Sequence, residues 1–253
     1  MAAETPLLSV LSCARPVLFY NDDPNYPYST SGTAFVVEFH RRIFVVTAKH
    51  VLRLREFRAE QFRVQYQPER PELIPTRALN SFTVADANDT DQFDVVAWEV
   101  DYDQLNAQLF GNHRPYRLNA IDEWTIFSEA SDYLYRGYPF ELRQIDFETG
   151  NYAQDSITGA ATYLGRAGDV HCLHRLQFRN LDGVTDLDGL SGAPVFQTNR
   201  IEGKYSAEAF AGMLLRGARG PMLGHFLEHR RIIELLQAIE AGRVVNVAQA
   251  PQP

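Results

Sequence analysis

The chain has 253 residues, of which 24 are Lys or Arg and 32 are Asp or Glu, so its formal net charge at pH 7 is -8. A net negative surface repels phosphate backbones, and no local basic stripe offsets it, so nucleic-acid binding is not expected. Hydrophobic residues make up 45% of the chain and the mean hydropathy is -0.27, which is typical of a folded soluble protein, and no apolar run reaches the ~18 residues of a membrane span.

The number of cysteines and the N-terminal residues indicate in which cellular compartment the protein is expected. Two cysteines, Cys13 and Cys172, cannot build a disulfide framework, although a single bridge between them stays open. Glu4 stands where a secretory signal carries Lys or Arg, and Arg15-Pro16 interrupts the short apolar run. A cytoplasmic location is therefore expected.

The periodic segments are short, rich in Val, Phe, Tyr and Thr, and separated by Pro, Gly, Asp or Asn clusters, which predicts a mainly β protein. The first clear elements are Gly32–Phe39 and Ile43–Val51, a hairpin whose second strand ends in Thr47-Ala48-Lys49-His50. Further strands are predicted at Phe62–Gln67, Val95–Val100, Tyr133–Tyr138, Ile157–Leu164, Val170–Phe178, Pro194–Gln197 and Ala209–Leu215.

The end of the chain contains the clearest helix signal. Ile232, Ile233, Leu235, Leu236 and Ile239 recur at helical spacing, and Gly242 follows as a C-cap. The final residues 244–253 are rich in Ala, Gln and Pro and are expected to fray. Weak periodicity between 101 and 131 predicts a first β unit at 1–118 and a second at 119–228, followed by the helix and tail at 229–253.

Three motifs stand in the order His, Asp, Ser. Thr47-Ala48-Lys49-His50 ends an apolar strand, Asp94 directly precedes Val95-Val96-Ala97-Trp98, and Gly189-Leu190-Ser191-Gly192-Ala193-Pro194 leads into another strand. A Ser hydroxyl is a poor nucleophile at neutral pH unless an imidazole takes its proton, and a carboxylate on the other ring nitrogen orients that imidazole. The set is therefore typical of nucleophilic catalysis.

In this order and context, the motifs resemble those of the trypsin-like (chymotrypsin-fold) serine peptidases. Ser31-Gly32-Thr33-Ala34-Phe35 is similar to the family's entry to the His hairpin, and Tyr135-Arg136-Gly137-Tyr138-Pro139 to the strand that opens its second barrel. The resemblance covers roughly 32–228. It implies two six-stranded antiparallel β-barrels with the active cleft between them, followed here by the C-terminal α-helix.

The resemblance also implies roles for individual residues. His50 is the expected general base, Asp94 its orienting carboxylate and Ser191 the nucleophile, with Asp91 as the second candidate for the carboxylate. The backbone N–H groups of Gly189 and Ser191 are the expected oxyanion hole. No metal or cofactor is expected, and His171-Cys172-Leu173-His174 is interpreted as strand residues because two ligands do not make a metal site.

The family's primary specificity pocket corresponds to Thr185, Leu215, Arg216 and His225. Asp186 would favour a basic substrate side chain and Arg216 an acidic or small one, so no preferred residue follows.

Two positions depart from the family pattern. Leu190 replaces the Asp that pairs with a new N-terminus in the digestive members, so activation by N-terminal clipping is not expected. The residue that often donates a hydroxyl to the triad Asp corresponds to Met213 or Leu214, neither of which donates.

The sequence thus predicts a serine endopeptidase acting on polypeptides. Because lysine occurs only at positions 49 and 204, a GC-rich bacterial or phage genome is the expected source. Two alternatives remain at this point, a catalytically silent or ligand-gated binding or sensor module, and an esterase or acyl transferase on the same fold.

Overall fold

The computed structural model describes residues 10–20, 28–53, 58–82, 91–119, 122, 125–146, 151–168, 170–179, 181, 183–184, 186–201, 204–218, 220 and 222–246. Its strands, in chain order, are β1 (Ala14–Tyr20), β2 (Tyr28–Phe39), β3 (Arg42–Thr47), β4 (Phe62–Val64), β5 (Thr76–Ser81), β6 (Val96–Val100), β7 (Tyr116–Arg117), β8 (Asp132–Gly137), β9 (Arg143–Asp146), β10 (Asn151–Gln154), β11 (Ile157–Arg166), β12 (Leu173–Phe178), β13 (Pro194–Ile201), β14 (Lys204–Ala218), β15 (Leu223–Glu228) and β16 (Val245–Asn246). One α-helix of the described residues, α1, spans His229–Glu240 and follows β15 directly.

The second half is a closed antiparallel barrel, with the strand order β11-β12-β15-β14-β13-β8. The first half is an eight-stranded sheet ordered β16-β5-β6-β3-β2-β1-β4, with β7 paired to β2. In the described residues this sheet is open, where the sequence predicted a second closed barrel. Closure would need a ladder between the two edge regions at β4 and β5. β4 has three residues, and after it the chain forms the isolated bridge Gln65–Leu73 instead of a full ladder to β5.

The mainly β prediction is confirmed, with one closed six-stranded barrel, one half-barrel sheet and one C-terminal helix. β2 and β3 are buried over nearly their whole length, because the half-barrel core covers one face of β2 and the second barrel covers the other. Phe35 of β2, for example, packs on Phe210 of β14 with ring centroids 5.3 Å apart.

Helix α1 buries the stripe predicted from the sequence, including Ile232, Leu235 and Leu236, against β14, β15 and β6. The turn that closes the helix after Glu240 contains Gly242, which has φ +65°, and Arg243 N donates to Ala238 O at 2.8 Å. The chain then returns to the first sheet, since Val245–Asn246 pairs with Ser81 and Asn80 of β5. This part of the tail, predicted to fray, is therefore a strand.

Other differences concern segments that the sequence left unassigned. β1 contains Arg15 and Pro16, which were expected to break the run, and it pairs with both β2 and β4. β5, β7, β9, β10 and β15 were not predicted as strands either. Among the described residues, no helix has the length and apolar character needed to cross a membrane.

Candidate active site

His50 lies on a short 3₁₀ turn, Lys49–Leu52, immediately after β3. The turn buries Val51 and Leu52, which anchors it, and leaves the His50 side chain 47% exposed. β3 and β6 are antiparallel neighbours, with Thr47 opposite Val96. Residues just after β3 must therefore lie beside residues just before β6, and this places His50 next to Asp94.

Asp94 binds His50 through both carboxylate oxygens. Its Oδ2 lies 2.6 Å from the ring Nδ1, and its Oδ1 accepts the backbone N–H of His50 at 2.9 Å. A carboxylate accepts hydrogen bonds, so this contact holds the ring proton on Nδ1 and leaves the Nε2 lone pair available to accept another. Asp91, the second candidate, instead forms an ion pair with Arg216.

Ser191 lies at the seam between the two halves. Its carbonyl accepts the backbone N–H of Thr33 at 2.9 Å. A Cβ added to Gly32 would lie 2.9 Å from Val51 Cγ1 and 3.1 Å from the Ser191 carbonyl oxygen, so the serine and the His50 turn flank the same glycine.

The Ser191 hydroxyl donates to the Leu215 carbonyl at 2.6 Å, and not to the His50 ring. The carboxylate–imidazole half of the expected relay is thus assembled in the structure. The hydroxyl is hydrogen-bonded instead to a backbone carbonyl of strand β14.

The loop from 188 to 193 has three consecutive peptide groups with their carbonyls bonded. Asp188 O accepts from Phe140 N at 3.0 Å, Gly189 O from the Thr33 hydroxyl at 2.7 Å, and Leu190 O from Ala193 N at 3.0 Å. In a planar trans peptide the C=O and the following N–H point in opposite directions. The first and third bonds therefore set the directions of the Gly189 and Ser191 N–H groups, and neither donates to another described residue.

Glycine is required at two positions of this loop. Gly189 has φ +95°, and a Cβ there would lie 2.4 Å from Tyr138 O. Gly192 has φ +88°, and its Cβ would lie 1.8 Å from Thr33 O. Both the left-handed backbone and the close approach of other backbone exclude a side chain.

Three of the predicted pocket residues, Leu215, Arg216 and His225, are neighbours on β14 and β15. Thr185 lies outside the described residues. Leu215 contributes its carbonyl to Ser191, and the Arg216 side chain is paired with Asp91, so its charge is partly neutralised there. His225 is opposite Arg216 on β15, and burial, followed by the charges of Arg216 and Arg175, lowers its pKa.

Two glycines that follow Leu215 in the chain, one on β14 and one on β15, lie directly against apolar side chains. Gly217 and Gly224 are direct cross-strand partners. A Cβ on Gly217 would lie 2.3 Å from Leu187 Cδ1, and one on Gly224 would lie 2.4 Å from the Phe178 ring. Apolar side chains therefore occupy the face of β14 and β15 that these glycines leave open.

The positions that depart from the family pattern are apolar and packed. Leu190 is 3% exposed, and its Cδ2 would lie 2.7 Å from a Cβ on Gly137, so the position fills the core of the second barrel. Met213 and Leu214 are also buried. The hydrogen bonds to Asp94 described above come from His50 itself.

In the segment His171-Cys172-Leu173-His174, the buried His174 is hydrogen-bonded to neighbouring side chains. His174 is 1% exposed, with Nδ1 2.8 Å from the Tyr163 hydroxyl and Nε2 3.0 Å from Glu228 Oε2. The described residues contain no group of three or more His, Cys, Asp or Glu suited to a metal ion. Cys13 and Cys172 are both free and buried, and burial raises the pKa of Cys13 to about 12.

Sequence reasoning missed the side chains that join the two halves at the nucleophile loop. Thr33 contacts Gly189 and Ser191, and its carbonyl accepts from the Thr47 hydroxyl at 2.6 Å. The available signal was a threonine directly after Gly32, just before the apolar run 34–37. A polar residue at the start of such a run does not reveal its partner 156 residues away.

Comparison with known proteins supports the fold. No family model matches the sequence, and no curated protein does. Among solved structures, the chain is similar to the scabies mite inactivated protease paralogue S-D1, with a TM-score of 0.58 and 12% sequence identity over 94% of this chain and 96% of that one. The chain therefore has a chymotrypsin-like fold, and the likeness at this identity concerns the fold alone.

Proposed function

We propose that this protein is a serine endopeptidase that hydrolyses peptide bonds through an acyl-enzyme on Ser191. The observation that carries the proposal is the carboxylate of Asp94 holding both the ring and the backbone of His50, at 2.6 and 2.9 Å. This arrangement fixes the neutral tautomer that a general base needs. Two backbone N–H groups with fixed directions, at Gly189 and Ser191, supply the complementary site for an oxyanion.

The proposed reaction begins with rotation of the Ser191 hydroxyl from Leu215 O towards His50 Nε2. As Oγ bonds to the substrate carbonyl carbon, its proton passes to Nε2, and the carbonyl oxygen becomes an oxyanion held by the Gly189 and Ser191 N–H groups. Collapse of this intermediate breaks the C–N bond, and the leaving amine takes the proton from Nε2. Water then repeats the sequence on the ester, releasing the acid and restoring Ser191, while Asp94 stays ionised throughout.

The substrate in this proposal is a polypeptide, and the protein acts in the cytoplasm of a bacterial cell. The ion pair of Arg216 with Asp91 offsets the charge that would otherwise favour an acidic side chain at the cut. No metal or cofactor enters the reaction.

A second candidate function is a binding module on a protease fold whose cleft is silent or needs a ligand. The Ser191 hydroxyl bond to Leu215 O favours it, because a nucleophile held there is not activated. The similar scabies mite protein is itself named as an inactivated paralogue. The two candidates make opposite predictions for a covalent probe.

The test is labelling with a fluorophosphonate at pH 7–8, followed by mapping of the modified residue. Labelling of Ser191, absent in Ser191→Ala and at least ~100-fold slower in His50→Ala, supports the peptidase, since general-base catalysis contributes about 10²–10⁴-fold. Ser156→Ala is the matched control, because that hydroxyl bonds Arg136 outside the site, and it should label like the wild type.

Absence of labelling in folded wild-type protein would instead favour the binding module. Turnover of ester substrates without turnover of a peptide library would assign an esterase.

A further inference from the structure

Thr33 is a buried polar residue at the junction of the first sheet and the nucleophile loop. It lies on β2 opposite Pro16 of β1, and its relative exposure is 0%. Pro16 has no backbone N–H for the Thr33 carbonyl, which accepts from the Thr47 hydroxyl at 2.6 Å. The Thr33 N–H donates to Ser191 O at 2.9 Å. The main chain of Thr33 is thereby joined to the nucleophile residue itself.

The Thr33 side chain makes two further bonds to the second half. Its hydroxyl accepts the backbone N–H of Tyr138 at 2.9 Å and lies 2.7 Å from Gly189 O. A hydroxyl has one proton to donate. Since an N–H must donate and a carbonyl must accept, the hydroxyl proton is directed at Gly189 O.

This bond holds the peptide group between the two oxyanion donors. The Gly189 carbonyl belongs to the peptide linking Gly189 to Leu190, whereas the donors belong to the peptides before and after it. Phe140 and Ala193 hold those outer peptides from within the second half, and Thr33 holds the central one from the first sheet. A rotation of the central peptide changes ψ of Gly189 and φ of Leu190, and it turns the neighbouring peptides that carry the donors wherever these two changes do not compensate each other.

We propose that Thr33 is a positioning residue that keeps the Gly189 and Ser191 N–H groups aimed at one point. The inference rests on the proposed function, and it adds a side chain that does not touch the substrate. The same hydrogen bonds also fix the position of the sheet that carries His50 and Asp94 relative to the loop that carries Ser191. Both parts of the site are fixed to the same threonine, one through β2 and β3 and the other through hydrogen bonds.

The test compares three variants. Thr33→Val keeps the shape and removes the hydroxyl, Thr33→Ser keeps the hydroxyl, and Thr198→Val is the matched control. Thr198 is also fully buried, and its hydroxyl donates to Asp132 O at 3.0 Å on the β13–β8 ladder of the barrel. A loss of stability common to buried Thr→Val changes will therefore appear in both valine variants.

In Thr33→Val, kcat on a peptide substrate should fall about 10–100-fold, somewhat less than the 10²–10³ lost with a whole oxyanion donor. KM should change less than about threefold, because uniform substrate binding is not affected. Thr33→Ser should restore kcat to within about threefold of wild type, and Thr198→Val should keep it within about twofold.

Amide hydrogen exchange of residues 188–192 gives a readout that needs no activity. Thr33→Val should accelerate exchange at the Leu190 and Gly192 amides, whose acceptors are Leu187 O and Leu214 O, and Thr198→Val should not. Unchanged loop exchange, an unchanged kcat, or an equal loss of kcat in both valine variants would overturn the role of Thr33. A wild-type protein that ignores the fluorophosphonate probe would refute the peptidase alone, since the exchange comparison still decides whether Thr33 holds the loop.

Discussion

Replacing Asp94 by Asn tests the site most directly. The carboxylate accepts two hydrogen bonds from one residue, from the His50 backbone N–H at 2.9 Å and from ring Nδ1 at 2.6 Å. The two donors bond different carboxylate oxygens, and in Asn one of these two positions becomes an NH₂ donor, so in this geometry only one of the two bonds keeps its acceptor. The backbone N–H cannot become an acceptor, but the ring can, by moving its proton from Nδ1 to Nε2.

We therefore expect Asp94→Asn to reverse the tautomer of His50. With its proton on Nε2, the ring cannot accept the Ser191 proton, and the neutral base is lost. The comparable change in a well-characterised triad lowers kcat about 10⁴-fold. At about 1.36 kcal/mol per factor of ten, this corresponds to a rise of roughly 5 kcal/mol in the activation free energy.

The assay is the second-order rate of fluorophosphonate labelling at pH 7.5 together with kcat/KM on a peptide substrate. Asp91→Asn is the matched control, three residues away and paired with Arg216. Loss of such a half-exposed ion pair costs about 0–1 kcal/mol, so its rate should stay within about fivefold of wild type. An Asp94→Asn protein that keeps more than a tenth of the wild-type rate, with its thermal midpoint preserved, would refute this account of the site.

Two further predictions concern stability. Gly192→Ala should lower the free energy of unfolding by about 3–5 kcal/mol through overpacking against Thr33 O and the strained φ, whereas Gly165→Ala, with φ +92° and no atom within 4 Å of its Cβ, should cost only about 1–2 kcal/mol; equal losses in urea unfolding would contradict the close approach. Burial alone would raise the pKa of Glu228, but the hydrogen bond and charge of His174 outweigh it and the net pKa is lowered. The ionised Glu228 therefore contributes stability above its unfolded pKa of ~4.3, and this is lost as pH falls through the lower folded pKa. Glu228→Gln should accordingly be less stable than wild type by about 1 kcal/mol at pH 7, which is the difference between a charge-assisted and a neutral hydrogen bond. The two proteins should be equally stable near pH 2, and a deficit that persists in acid would count against the contribution of ionised Glu228.

The local parts of the site could be predicted because local chemistry decides them. An apolar strand ending in Thr47-Ala48-Lys49-His50, and glycines flanking Ser191, are patterns that short-range sterics and hydrophobic burial impose on the chain. The choice of Asp94 over Asp91 was also accessible, since a carboxylate directly before a buried strand is held near the neighbouring strand end. The roles assigned to these residues stay predictions until the labelling experiments are done.

The strand at Arg15 and Pro16 shows where local reasoning ends. A proline and an arginine argue against a buried strand, yet Arg15 is fully buried and its guanidinium donates to backbone carbonyls, including Tyr66 O at 2.9 Å. Burial also lowers the pKa of Arg15 to about 10. Two of its acceptors, Tyr66 O and His113 O, come from distant segments, so no window of sequence around residue 15 contains them.

By itself, the sequence determined the mainly β class, the C-terminal helix and the order of the His, Asp and Ser motifs, because periodicity, capping and turn chemistry act over a few residues. Only the tertiary structure decided that the first sheet stays open, that Ser191 donates to Leu215, and that Thr33 joins the two halves. These outcomes depend on which backbone groups meet across 24 residues of chain, for Ser191 and Leu215, and across 156, for Thr33 and Gly189. Such meetings are set by the packing of whole sheets, and the residues concerned carry no mark of their partners.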